Sequence, residues 1–176
     1  MKTTCRQNAF SAIIIMGVSG CGKTTVARML AERLGWTFIE SDDYHSAEQV
    51  RKMASGSPLT DADRQPWLEI LHGLLVGCSQ KNQPAVMACS ALKEKYRRML
   101  GAGLSHIHYV YLKGSYDLIR ERMQHRQHFM KPAMLQSQFK ALEEPQNALV
   151  IDITQPPENA VVKILEIIHK QLVHPE

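Results

Sequence analysis

Short apolar runs alternate along this chain with longer segments in which apolar residues recur every three to four positions. Ala12-Ile13-Ile14-Ile15-Met16 is uninterrupted and of strand length, which predicts a strand buried on both faces. Thr37-Phe38-Ile39-Glu40, Ala85-Val86-Met87-Ala88-Cys89, Ile107 to Leu112 and Leu149-Val150-Ile151-Asp152 predict further strands. Between them, Val26, Leu30 and Leu34 mark one face of a helix that Gly35 can end. Ser46 followed by Gln49 is a capping-box pair opening a helix toward Ala54. Gly56-Ser57-Pro58 then breaks the chain, and Pro66 suits the first turn of a helix through Gly77. Lys93 to Leu100, Ser115 to about His125, Pro132 to near Leu142 and Glu158 to about Leu172 read as the remaining helices. Strands alternating with helices predict an α/β fold, a five-stranded parallel sheet covered on both faces. Such sheets bind ligands beyond the carboxyl ends of their strands.

The segment after the first strand carries the strongest chemical signal. Gly17-Val18-Ser19-Gly20-Cys21-Gly22-Lys23-Thr24 fits G-x-x-x-x-G-K-[ST], the loop that wraps nucleotide phosphates. Its glycines let successive N–H groups turn inward toward phosphate oxygens, at the start of a helix that itself favours anions. Lys23 is expected to reach the β- and γ-phosphates of ATP or GTP, and the Thr24 hydroxyl to hold Mg²⁺, with Thr25 following. The fold class is therefore a three-layer P-loop NTPase fold, and the chain reads as a single P-loop domain over 1–176.

Composition narrows the picture a little. The 176 residues are 44% hydrophobic and 22% charged, ordinary for a globular chain. No apolar run approaches the roughly 20 residues of a membrane span. Residues 1–10 are polar, without the apolar centre of a signal peptide, and read as a flexible segment on a cytoplasmic protein. The net charge of +4 is modest. Basic residues cluster at Lys93, Lys95, Arg97 and Arg98, and at Arg120, Arg122, Arg126 and Lys131, with no nucleic-acid-binding motif beside them. Cys5, Cys21, Cys78 and Cys89 lack metal-ligand spacing, so free thiols are expected.

The residues just after the strands carry the rest of the chemistry. The second strand delivers Ser41-Asp42-Asp43-Tyr44-His45, and the third Ser90-Ala91-Leu92-Lys93 with Tyr96 and Arg97 one turn on. Phosphoryl transfer to an alcohol needs a group that orients the hydroxyl and takes its proton, and cations around the transferred group. Asp42 is the candidate for the first role, with Asp43 the adjacent alternative. Residues 56–68 form a polar stretch in which Arg64, beside Trp67, suits a carboxylate or phosphate, while Asp61 and Asp63 suit capping or pairing. About 122–135 reads as a lid that closes over ATP and excludes water.

These segments together resemble the gluconate kinases, small P-loop sugar-acid kinases related to shikimate kinase. The resemblance rests on Asp61-x-Asp63-Arg64-x-Pro66-Trp67-Leu68, on Cys89-Ser90-Ala91-Leu92-Lys93 with Tyr96-Arg97, and on His128-Phe129-Met130. Ser137-Gln138-Phe139 and Leu142-Glu143 extend it, and it runs from about residue 12 to 168. It implies ATP- and Mg²⁺-dependent phosphorylation of D-gluconate to 6-phospho-D-gluconate, and a homodimer. Carried over, Lys23, Asp42 and Arg126 are catalytic, and Gly17 to Thr25 with Arg122 hold the nucleotide. Asp42, His45, Arg64, Lys93, Arg97 and His128 then surround the sugar acid. The chain departs from the family pattern at Ser41, where glycine is usual, and at Ser46, where proline is usual. Only Gln127 separates Arg126 from His128, one residue fewer than usual, and Cys21 replaces a serine. A thiol at a helix start near Lys23 invites a redox role, beside the plainer reading of a small residue exchanged for another. Rival activities are a kinase for another sugar acid or for shikimate, and a nucleotide-binding regulator without catalysis.

Overall fold

The computed structural model describes residues 12–124 and 132–173. Strands β1 (Ala12–Met16), β2 (Thr37–Glu40), β3 (Ala85–Ala88), β4 (Ile107–Lys113) and β5 (Leu149–Asp152) form one parallel sheet in the order β2-β3-β1-β4-β5. The helices are α1 (Lys23–Leu34), α2 (Ala47–Ala54), α3 (Asp61–Gln80), α4 (Glu94–Gly101), α5 (Tyr116–Gln124), α6 (Pro132–Ala141) and α7 (Pro157–Val173).

Central β1 pairs with β3 on one side, Ile13 beside Val86, and with β4 on the other, Ile15 beside Val110. Side chains alternate across a strand, so β1 feeds two cores. Ile13 and Ile15 pack with Val26, Ala27 and Leu30 of α1 and Val161 and Ile164 of α7. Ile14 and Met16 pack with Trp67, Leu71 and Leu75 of α3 and Tyr96 and Leu100 of α4. This is the expected three-layer arrangement. The chain leaves β1 for β2 on one side and crosses back from β3 to β4 on the other, so β1 and β3 flank the switch point where ligands bind.

Several local expectations hold. Gly35 ends α1 at φ 65°, its N–H returning to Ala31 and Glu32. Ser46 and Gln49 form the capping box that opens α2, so serine in place of proline has a local task there.

The stretch before Pro66 differs from expectation. Thr60 and Asp63 form a second capping box, and α3 starts at Asp61, placing Pro66 within the helix rather than in its first turn. Pro66 has no N–H, so the Ala62 carbonyl loses its i+4 donor. The capping box supplies the helix start that Pro66 was expected to mark.

Candidate active site

The phosphate loop leaves β1 at Gly17, whose N–H donates to the Ser90 carbonyl. Gly17 lies at φ 141°, and a Cβ there would meet Cys21 Sγ and the Leu112 carbonyl oxygen, each at 2.9 Å. Gly20 lies at φ 82°, and a Cβ there would meet Met123 of α5 at 2.7 Å. Both positions therefore require glycine. The Lys23 ammonium curls back to donate to the Val18 carbonyl at 3.0 Å.

Glu40, at the end of β2, interacts with the Thr24 side chain. Burial pushes its carboxyl above the usual range, and the nearby Asp42 adds to this, while Thr24 and Lys23 oppose it. Its Oε2 is buried without a hydrogen-bond partner among the described residues. A hydroxyl and an incompletely satisfied carboxylate are hard oxygen donors, and the pair fits a small divalent cation bound along with phosphates. Sequence reasoning left Glu40 out of the site. The signal was available, because Glu40 is the last residue of a strand whose carboxyl end faces the loop.

Residues Ser41–Tyr44 form one 3-10 turn. Ser41 is not in the left-handed region, so a side chain replaces glycine there without backbone strain. Its carbonyl accepts from Trp67 Nε1 at 2.9 Å. His45 stacks on Trp67 and contacts Gln49 Oε1 through Nδ1 at 3.2 Å. Burial, its largest influence, lowers the His45 pKa. Asp42 is exposed, with Oδ1 3.8 Å from His45 Nε2. It acts electrostatically on Glu40, His45 and Cys89, the groups lining this edge.

A cavity of about 380 Å³ opens beside the loop, lined among others by Asp61, Arg64, Lys93, Tyr96 and Gln138. Lys93 Nζ lies 2.9 Å from Asp61 Oδ1, and Lys95 Nζ also reaches Asp61, as does the Tyr96 hydroxyl. Hydrogen bonds from Lys95, Tyr96 and Lys93, in that order, hold the Asp61 carboxyl well below the usual carboxylate range. Arg64 is expected beside Trp67. Its guanidinium instead lies 5.9 Å from the centre of the Tyr96 ring, while Trp67 turns into the core. Among the described residues Arg64 has no carboxylate partner, so a cation faces this cavity unpaired.

Arg97 does not face that cavity. It is 5% exposed. Nη1 donates to the carbonyls of Ala91 at 2.9 Å and Leu92 at 3.2 Å, Nη2 donates to that of Glu143 at 3.0 Å, and Nε donates to Glu94. Ala91 sits at φ 42°, a left-handed conformation uncommon for a residue with a Cβ. Arg97 thus braces the turn after β3. A fully engaged guanidinium has no donor fork left for a ligand.

A second cavity, of about 400 Å³, lies on the other side of the loop, between Gly20, Cys21, Thr25, Arg122, Gln155 and Pro157. Arg122 Nη2 donates to the Ile153 carbonyl at 2.6 Å. Cys21 is 2% exposed, and burial raises its thiol pKa despite Lys23 and the helix start. This favours the plainer reading, one small residue exchanged for another, over the redox role, because desolvation outweighs the nearby charge. Arg126 and His128 lie outside the described residues, as does half of the segment read as a lid.

The chain matches the family model described as an AAA domain over residues 13–145. It is 41% identical to the thermoresistant gluconokinase of Escherichia coli (strain K12), across 89% of this chain and 93% of that protein. It is 46% identical to a gluconokinase of Gluconobacter oxydans (strain 621H), across 76% of this chain and 75% of that protein. The crystal structure of a gluconokinase from Sinorhizobium meliloti 1021 superposes with a TM-score of 0.81 at 39% identity, covering 94% of each chain. A shikimate kinase from Aquifex aeolicus shares the fold at 17% identity and a TM-score of 0.59, covering 92% of this chain and 98% of that one.

Proposed function

The chain belongs to the gluconokinase family, and from that premise we propose how its residues transfer the γ-phosphoryl group of ATP to D-gluconate. The product is 6-phospho-D-gluconate. The observation that carries the assignment of roles is the cavity beside the phosphate loop, where Arg64, Lys93 and Tyr96 offer a cation and hydrogen bonders to a linear, carboxylated polyol. A nucleoside acceptor would call for a stacking slot. The aromatic ring in this cavity, Tyr96, is already covered by cations.

The loop from Gly17 to Thr25 holds the triphosphate, and the second cavity, beside Arg122, takes the nucleoside. The Lys23 ammonium leaves the Val18 carbonyl to neutralise charge on the β- and γ-phosphates. Thr24 and Glu40 would hold Mg²⁺, which when bound offsets negative charge on the phosphate oxygens. Asp42 orients the terminal hydroxyl of gluconate and accepts its proton as the oxygen attacks phosphorus in line and ADP leaves. Arg64 and Lys93 bind the sugar acid, and His45 places the Asp42 turn. Arg97 is a positioning residue. The segment of about 122–135, with Arg126 and His128, serves as the lid.

None of the described helices is long and apolar enough to cross a membrane. A cytoplasmic homodimer completes the proposal, checked by light scattering and cell fractionation. The deciding experiment is a coupled assay of the purified protein with ATP and Mg²⁺ over a panel of sugar acids, shikimate and a nucleoside monophosphate. Strong preference for gluconate is expected, and preference for shikimate or the nucleotide would refute the reading.

A further inference from the structure

One side chain touches both halves of this site. Gln138 projects from α6, is 8% exposed, and lines the acceptor cavity with Arg64 and Lys93. Its Oε1 accepts from the Ser19 N–H at 2.7 Å, and its Nε2 donates to Ser19 Oγ at 3.1 Å. The two bonds fix which way the amide points, because a flipped amide would set NH₂ against an N–H donor. Ser19 is the third residue of the phosphate loop, 119 positions away in sequence.

The helix that carries Gln138 is itself fixed. Leu135 is fully buried in the core on the α1 face. Just past the end of α6, the Glu143 N–H donates to the Leu92 carbonyl at 2.9 Å. The Glu143 carboxylate accepts from the Glu94 N–H at 2.7 Å, and its carbonyl accepts from Arg97. Leu92 and Lys93, which line the acceptor cavity, therefore belong to the same braced unit as Gln138.

From this geometry we infer that Gln138 is a positioning residue for the transfer, tying Ser19 of the phosphate loop to the wall of the acceptor cavity. It sets the separation between the γ-phosphoryl group and the acceptor hydroxyl. This rests on the kinase reading above. Misplacement of reacting groups by about 1 Å costs on the order of 10²-fold in rate, so a bidentate tie at this point acts on turnover more than on binding.

The test is Gln138→Met, which keeps length and volume but cannot make either bond. Turnover with gluconate should fall roughly 10- to 100-fold while the KM for ATP moves less than about threefold. Ser19→Ala deletes one of the two bonds from the loop side. It should show a smaller fall of the same kind, and the double variant should fall less than the product of the two. It also serves as the probe if Gln138→Met does not fold. Amide exchange at Ser19, measured without any acceptor, should accelerate in Gln138→Met. An unchanged kcat in a folded variant overturns the inference. So does a lowered KM for ATP at constant kcat, which would mark Gln138 as a competitor of the nucleotide for the loop. If the wild-type protein phosphorylates no sugar acid, the kinase reading fails. Exchange at Ser19 then still decides whether the tie exists, and no acceleration in Gln138→Met sinks it.

Discussion

His45 lies flat against Trp67, ring centroids 4.5 Å apart and planes 13° from parallel. The contact joins the turn after β2 to α3, and the bond from Trp67 Nε1 to the Ser41 carbonyl reinforces it. Asp42 sits between these anchors. A neutral imidazole suits the stack, and burial lowers the His45 pKa from its usual value near 6.5. The folded chain therefore binds fewer protons here than the unfolded one, so stability falls as the pH drops below about 6.5 toward the lower folded value. His45→Phe, which keeps a ring but not the titration, should lose this part of the acid sensitivity. Thermal unfolding of both proteins from pH 7.5 to 5.5 checks it.

The choice between the two aspartates is open to a direct comparison. Asp42 acts electrostatically on Glu40 and Cys89. Asp42→Asn should lower turnover by roughly 10²- to 10⁴-fold, the usual range for a catalytic base, with ATP-analogue binding retained. Asp43→Asn should stay within a few-fold of wild type. The reverse pattern would move the base by one residue.

Glu40 links stability to activity in opposite senses. Its raised pKa means that the folded chain binds more protons than the unfolded one between the two values, so this group's contribution to stability declines as the pH rises through that window. Glu40→Gln removes the half-buried charge. It should raise the melting temperature measured without nucleotide at neutral pH, while raising the Mg²⁺ concentration needed for half-maximal turnover. A lowered melting temperature with normal Mg²⁺ dependence would contradict both.

Two arginines that look alike in sequence should behave differently. Arg64→Ala should raise the KM for gluconate at least tenfold with little change in unfolding, because among the described residues it has no carboxylate to leave behind. Arg97→Ala leaves the carbonyls of Ala91, Leu92 and Glu143 without their donor. It should destabilise the fold by about 3 kcal/mol, the size seen when a buried charged network is broken. Denaturant titration alongside substrate kinetics separates them.

Cys21 should be inert. Its thiol is buried against Gly17, and its pKa is raised by burial. Wild type and Cys21→Ser should lose activity at the same rate in peroxide, and protection by the substitution would show a reactive thiol.

Much of this architecture was legible in the sequence. The buried run from Ala12 to Met16, the glycine loop and the capping pair Ser46–Gln49 all depend on near neighbours, and they folded as their patterns indicated. What sequence could not show were partners far apart in the chain. Arg64 and Arg97 look alike in sequence, yet one meets a cavity and the other three backbone carbonyls, one of them that of Glu143, 46 positions away. The bonds from Gln138 to Ser19 and the orphan oxygen of Glu40 are tertiary facts of the same kind. At Cys21, burial decides between the two readings that local sequence left open.

The sheet also acts as a partition. The residues proposed to hold the nucleotide begin α1, whose core lies on one face of β1, whereas Arg64, Lys93 and Tyr96 stand on α3 and at the start of α4, whose core lies on the other. The two sides meet at the acceptor cavity, whose lining also takes Leu92 from the α1-side core and Gln138 from α6. Substitutions confined to α3 and the start of α4 therefore alter the acceptor side alone, whereas those that shift α6 also reach the phosphate loop. The constraint on such exchange is the amide of Gln138, which any new acceptor pocket must still leave within reach of Ser19.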